Sequence, residues 1–119
     1  GQYKSAYVTA MWKAYRKSAS DASTTPPFVI ITNPLNEKTI IDTCNITVSA
    51  FGINGIKSVH FYINDLLLGS VSDVIDIKTN KYSLPLDPDI VGKGNHLISV
   101  TATDSLNNIN SDTIIVYYK

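Results

Sequence analysis

Residues 56–69 read Ile56-Lys57-Ser58-Val59-His60-Phe61-Tyr62-Ile63-Asn64-Asp65-Leu66-Leu67-Leu68-Gly69. Val59, Phe61 and Ile63 alternate with Ser58, His60 and Tyr62. Successive side chains of a strand point to opposite faces, so this alternation predicts a strand buried on one face and wet on the other. Asn64-Asp65 is a tight-turn pair, because both residues tolerate the left-handed backbone of a two-residue hairpin. Leu66–Val71 then returns as the hairpin partner.

The same texture extends in both directions. Upstream, Cys44, Ile46, Val48 and Ala50 alternate with Asn45, Thr47 and Ser49, and Asn54-Gly55 follows as a turn. Residues 28–32 form a short run rich in β-branched side chains that ends at Asn33-Pro34, and residues 39–41 offer a second short piece. Downstream, Lys81–Leu86 reads as a strand. Pro85 inside it cannot donate to a ladder and predicts an edge position. Residues 92–95 are a Gly-rich turn. Ile98, Val100 and Ala102 alternate with Ser99, Thr101 and Thr103. Residues 104–110 are a polar loop and residues 113–118 a closing strand. About seven short strands, with turn signals every ~8–12 residues, predict an all-β antiparallel sandwich. A small closed barrel is the structural alternative. No helix of useful length is predicted after residue 27, which excludes a parallel α/β fold, since its crossovers need helices.

The first residues differ. Residues 3–19 place Tyr7, Met11 and Tyr15 at helical spacing, with Trp12 beside them and Lys13, Arg16 and Lys17 off the stripe. This predicts a short N-terminal helix. Its aromatic stripe requires a partner surface: the sandwich, a neighbouring copy or an upstream domain. Residues 18–27 (S-A-S-D-A-S-T-T-P-P) are small and polar and end in two prolines, which no helix continues through. The expected organisation is a helical lead-in over 1–19 that is the tail of an upstream domain, a linker over 20–27, and the β domain over 28–119.

Composition narrows the function classes. The 119 residues carry ten basic and ten acidic side chains, with 44% hydrophobic residues, so one domain with a real core is expected and disorder is not. Neutral net charge gives no global attraction to nucleic acid, and no Gly-rich phosphate loop or basic–aromatic interleaving appears in the body. No apolar run approaches the ~20 residues of a membrane-spanning helix. The single cysteine, Cys44, cannot form an internal disulfide.

Three segments carry a resemblance. Residues 56–69 resemble the "V-x-F-Y-V-[DN]-[GD]-x-x-[IL]-G" hairpin of bacterial immunoglobulin-like domains. Gly94-Asn95-His96-Leu97-Ile98-Ser99-Val100-Thr101-Ala102-Thr103-Asp104 resembles their "G-x-H-x-[IL]-x-V-x-A-x-D" strand. Val29-Ile30-Ile31-Thr32-Asn33-Pro34 resembles their "V-x-I-T-x-P" start. The matches occur in the family's order. Leu106-Asn107-Asn108 departs from it, since a glycine often precedes the asparagine there. The resemblance implies an immunoglobulin-like sandwich. It also implies a module of secreted or surface-attached bacterial proteins that acts as a spacer, an adhesive or carbohydrate-contacting unit, or an accessory beside an enzyme. In the lead-in, Thr9-Ala10-Met11-Trp12-Lys13-Ala14-Tyr15 resembles, without its proline, the "A-P-I-W-K-x-[FY]" end of the transpeptidase unit of bifunctional penicillin-binding proteins. Ser5-Ala6-Tyr7-Val8-Thr9-Ala10 is similar to the helix after the nucleophile of subtilisin-like proteases, without the proline or the Gly-Thr-Ser. Both imply an upstream catalytic unit.

Candidate chemistry within the chain is sparse. A Cys–His pair could draw only on Cys44, His60 and His96. Cys44 is in phase with Ile46 and Val48, so it is expected to face the core as a small hydrophobe. No zinc spacing occurs. Asp104, Asn107, Asn108, Asn110 and Asp112 form an oxygen-rich stretch suited to calcium, although the glycine and terminal glutamate of an EF-hand loop are missing. The alternative is a polar turn held by Asx geometry. Tyr62, Tyr82 and Tyr117 could project from strands as a sugar-stacking platform, the alternative being that aromatics simply favour sheets. The expectation is a non-catalytic, extracellular or cell-surface module with no cofactor unless calcium. Its expected partners are neighbouring domains of the same chain and cell-wall or other glycans, with neither nucleic acid nor a membrane span.

Overall fold

The structure is a computed structural model that describes residues 24–72 and 80–119. Strands β1 (Phe28–Asn33), β2 (Lys38–Ile40), β3 (Cys44–Phe51), β4 (Ile56–Ile63) and β5 (Leu66–Val71) come first. They are followed by β6 (Lys81–Leu86), a one-turn helix α1 (Pro88–Val91), β7 (Gly94–Asp104) and β8 (Ile109–Tyr118). A three-stranded sheet has the order β1-β3-β6, and a five-stranded sheet the order β2-β8-β7-β4-β5. Neighbouring strands run antiparallel except β2, which lies parallel to β8. Two separate sheets make this a sandwich and not a closed barrel. The expected lead-in helix over 1–19, with Tyr7, Met11, Trp12 and Tyr15, and residues 20–23 of the linker lie outside the described residues.

Period-two alternation builds the core. Ile46, Val48 and Ala50 of β3, Val59, Phe61 and Ile63 of β4, and Ile98, Val100 and Ala102 of β7 are all buried, with Val116 and Tyr118 of β8. Removing each large side chain among them from water contributes about 1.5–3 kcal/mol. The β4–β5 hairpin turns at Asn64 (φ 50°) and Asp65 (φ 67°), the two positive angles that a primed turn requires. Pro85 sits on β6 at the edge of its sheet, opposite Asn45, with its missing N–H on no ladder.

The expected closing loop is shorter than its polar composition implies. β7 runs to Asp104 and β8 begins at Ile109, so Asn110 and Asp112 are strand residues. Both keep the phase of the inward residues Ile114 and Val116 and meet partners there, Asn110 the Pro27 carbonyl and Asp112 the Ile31 N–H, while the ladder continues through Ala102–Asn110 and Thr103–Ile109.

The chain enters and leaves at opposite ends of β7. Pro27 is buried, and its carbonyl accepts from Asn110 Nδ2 at 3.0 Å, beside the far end of β7. Gly52 makes this approach possible, since a Cβ there would lie 3.2 Å from the Pro27 Cα. At the other pole Tyr118 pairs with Gly94, the first residue of β7, and the Lys119 N–H donates to the Ile40 carbonyl.

Candidate functional site

The three tyrosines of the expected platform do not come together. Tyr62 on β4 and Tyr117 on β8 alternate with buried neighbours and lie on the outer face of the five-stranded sheet, Tyr62 half-buried and Tyr117 45% exposed. Tyr82 is only 6% exposed. It stands opposite Val48 on the inner face of the other sheet, where burial pushes its hydroxyl ionisation up. Its placement corrects the expectation: Tyr82 shares its phase with Leu84 and Leu86, an apolar set that belongs to the core. A ring in the core cannot stack on a sugar.

The register defines what surrounds Tyr62. It stands opposite Leu67 of β5 on one side and Ser99 of β7 on the other. Leu97, two residues from Ser99 on the same face, stands opposite Ile115 of β8, and Tyr117 stands opposite Asn95. Leu67, Tyr62, Leu97 and Ile115 therefore form an apolar diagonal over four adjacent strands. Leu67 is 58% and Ile115 49% exposed. Beside this diagonal the hydroxyls of Ser99 and Thr113 bond each other at 3.1 Å, and those of Thr101 and Ser111 at 2.8 Å.

The oxygen-rich stretch is organised around Asp104. Asp104 is buried, and its carboxylate accepts four hydrogen bonds. Oδ1 receives the N–H groups of Leu106 (2.9 Å) and Asn108 (2.8 Å). Oδ2 receives Asn54 Nδ2 (3.2 Å) and Asn108 Nδ2 (3.0 Å). A carboxylate offers about four acceptor sites, and here donors fill them. Burial pushes the carboxyl up, but the bonds from Asn108, Asn54 and Leu106 outweigh it and hold the group below the usual carboxylate range. Asn107 bonds Lys57 Nζ instead, and Asp112 lies away on β8, accepting from the Ile31 N–H at 2.8 Å. Asp104 and Asn108 thus bond each other in a polar turn, while Asn107 and Asp112, the other two calcium candidates, engage separate partners. Among the described residues no group of three or more His, Cys, Asp or Glu side chains could hold a metal ion.

Cys44 packs half-buried against the core beside the Tyr118 hydroxyl. Burial pushes its thiol up, only partly offset by that hydroxyl, which is the reverse of an activated thiolate. His60 points outward from β4. His96 faces inward, its Nδ1 accepting from Asn64 Nδ2 (2.8 Å), its Nε2–H donating to the Gly92 carbonyl (2.9 Å), and its ring set edge-on to Tyr118. This assignment follows from the Asn64 amide, whose Oδ1 accepts the Leu97 N–H at 2.9 Å. The inward histidine and the carboxylate knot were readable in part. His96 and Asp104 continue the phase of Ile98, Val100 and Ala102, which marks both as inward polar groups needing partners.

Comparison with curated proteins gave no match. Among solved structures, the endo-beta-1,4-mannanase of Thermotoga petrophila is 14% identical with a TM-score of 0.67. The alignment covers 80% of this chain and 20% of that one. The fibronectin(III)-like modules of Clostridium thermocellum CbhA are 23% identical with a TM-score of 0.60, covering 79% of this chain and 47% of that one. A Jonesia denitrificans lytic polysaccharide monooxygenase is 16% identical with a TM-score of 0.52, covering 72% and 60%. At these identities the likeness is one of fold. The chain spans a fifth of the mannanase and about half of the CbhA modules. Residues 27–100 match the family model described as Bacterial Ig domain, over the strands that carry the inward alternation of β3, β4 and β7, and the chain belongs to that family.

Proposed function

We propose that the domain is a non-catalytic accessory module of a larger secreted or surface-attached bacterial protein, in which it spaces and orients its neighbours. The observation that carries this reading is the path of the chain. It enters beside Asn110 and leaves beside Gly94, at opposite ends of the 11-residue strand β7. A domain threaded this way adds its full length to an array. The character of the side chains agrees: the one thiol is held protonated by burial, and the buried carboxylate is consumed by structural bonds. Among the described residues no helix is long and apolar enough to cross a membrane. The test is small-angle scattering of the parent protein with and without residues 28–119. Deletion is expected to shorten the particle by about 35 Å, the length of an eleven-residue strand. A particle of unchanged length would defeat the spacer reading.

The finer reading, contact with cell-wall or other glycans, narrows to Tyr62 and Tyr117 on the outer sheet face. It requires glycan retention that Tyr62→Ala and Tyr117→Ala remove. Retention that survives both substitutions would sink it.

A further inference from the structure

Every second residue of β7 from Asn95 to Thr103, of β8 from Ile109 to Tyr117 and of β4 from Ser58 to Tyr62 lies on the outer face of the five-stranded sheet. None of these is Asp, Glu, Lys or Arg, and β5 beside them has no charged residue on either face. Lys57 lies where the β4 register shifts, at one end of the face, and bonds Asn107 Oδ1 at 3.3 Å. A soluble surface is typically about 25–35% charged, so a face of this size ordinarily carries about four charges. In their place the apolar line Leu67–Tyr62–Leu97–Ile115 crosses all four strands. The hydroxyls beside it are already paired, Ser99 with Thr113 and Thr101 with Ser111. Paired groups lose little when water is removed, whereas a sugar site would keep them free for its ligand.

We propose that this face pairs with the same face of a second copy of the chain. Charge supports that occupant. In a two-fold pair one patch meets itself, so a charge near the axis would meet its own like. A face without charges is complementary to itself. Area supports it too. Four strands cover about 19 Å and their outward runs average about 25 Å, which gives about 500 Å² per copy. A pair buries about 1,000 Å², the lower end of what a specific but weak interface needs. The path of the chain supplies the third argument. The chain enters beside Asn110 and leaves beside Gly94, so this face lies along the flank of β7, to the side of that path. A partner here is lateral. The proposal goes beyond the spacer reading, which stands or falls on its own scattering test.

Sedimentation velocity of the intact 119-residue chain, from about ten micromolar to about one millimolar, reads the pairing. The average mass is expected to rise from 13.0 kDa toward twice that value, half-way at a concentration on the order of 100 µM. Leu97→Glu with Ile115→Glu is expected to raise that midpoint by about tenfold or more, because like charges then face each other. Leu97→Lys with Ile115→Lys is expected to do the same. An equimolar mixture of the two variants is expected to pair again, which a folding defect would not produce. Ile30→Glu, on the outer face of the three-stranded sheet, is expected to leave pairing unchanged. The proposal is overturned if the native chain stays at 13.0 kDa throughout, or if the glutamate variant pairs as the native chain does. It is overturned equally if the mixture stays monomeric, or if Ile30→Glu abolishes pairing. A monomer with Leu97 and Ile115 protected from hydroxyl-radical labelling at every concentration would assign the face to another segment of the same chain. A monomer protected there only by added peptidoglycan fragments would assign it to a glycan. Either outcome overturns the proposal.

Discussion

The backbone N–H of Ile31 donates to Oδ2 of Asp112 at 2.8 Å, joining residues 81 positions apart in the sequence. Ile31 lies on β1, an edge of the three-stranded sheet, and Asp112 on β8 of the five-stranded sheet. The pair therefore links the two layers of the sandwich by a hydrogen bond where the β1 ladder shifts register between Ile31 and Asn33. An edge N–H without a strand partner is a liability, and a carboxylate is a strong acceptor for it.

Asp112→Ala is expected to cost about 1.5–3 kcal/mol, the range for a hydrogen bond to a charged group. Asp112→Asn keeps an acceptor oxygen and is expected to cost less than half as much. Urea unfolding midpoints at constant slope measure both. Equal losses for the two variants would mean that the negative charge, and not the bond to Ile31, carries the effect.

Asp104 is expected to contribute to the acid limit of the fold. Its carboxyl is pushed up by burial and pulled further down by the bonds from Asn108, Asn54 and Leu106, leaving it below its unfolded value of about 3.9. The stability it contributes is therefore fully present above the unfolded value and is lost as pH falls through the folded one. Stability is expected to be flat in this contribution near neutrality and to fall below about pH 4. In Asp104→Asn that part of the acid slope should vanish. The variant should also be weaker at neutral pH by about 1–3 kcal/mol for each donor left facing the new amide. An unchanged acid slope in Asp104→Asn would show that other carboxyls govern it.

The parts of this fold that could be read from the sequence are those where a single strand carries its own signal. The phase of Val59, Phe61 and Ile63 places β4, and the same holds for Ile46 to Ala50 and Ile98 to Ala102, because burial on one face imprints a period of two on the strand itself. Tyr82 was misplaced because β6 is short, lacks β-branched residues and is interrupted by Pro85. Its shared phase with Leu84 and Leu86, and not its polar tip, decides the face it takes. The Asp104 knot could not be read as such. Three of its donors come from a loop bent by Asn107 at φ 67°, and the fourth from Asn54, 50 residues away. Asp112 looked like a loop ligand for the same reason: nothing local announces that its partner is Ile31.

The β4–β5 turn separates backbone strain from side-chain bonding. Asn64 and Asp65 both hold positive φ, but only Asn64 has its side chain bonded, to the Leu97 N–H and to His96. Asp65→Gly relieves the left-handed penalty with no bond to lose and is expected to stabilise by about 0.5–1 kcal/mol, less the extra freedom glycine gains when unfolded. Asn64→Gly relieves the same penalty but breaks two bonds and leaves buried His96 Nδ1 unpaired, so it is expected to destabilise by about 1–3 kcal/mol. Thermal unfolding of the two variants should move in opposite directions. A stabilised Asn64→Gly would show that the amide bonds to Leu97 and His96 contribute nothing net.

The largest buried side chain of the closing strand gives the last prediction. Tyr118 is 2% exposed, and its hydroxyl has no hydrogen-bond partner of good geometry among the described residues. Burial, then the nearby Cys44 and Asp87, pushes its ionisation up, so the group is a neutral phenol held out of water. A buried hydroxyl without compensation costs about 1–3 kcal/mol on mutational scales, whereas the ring itself fills the core beside His96. Tyr118→Phe keeps the ring and removes the desolvated oxygen, at the expense of a gap smaller than a methyl group. The balance favours stabilisation by about 1 kcal/mol, a rise in Tm of about 4–8 °C for a domain of this size. Thermal unfolding followed by circular dichroism measures it. A fall in Tm would mean that the hydroxyl draws real support from the Cys44 thiol. In that case Cys44→Ala should cost stability in the native chain and nothing once residue 118 carries the Tyr118→Phe change.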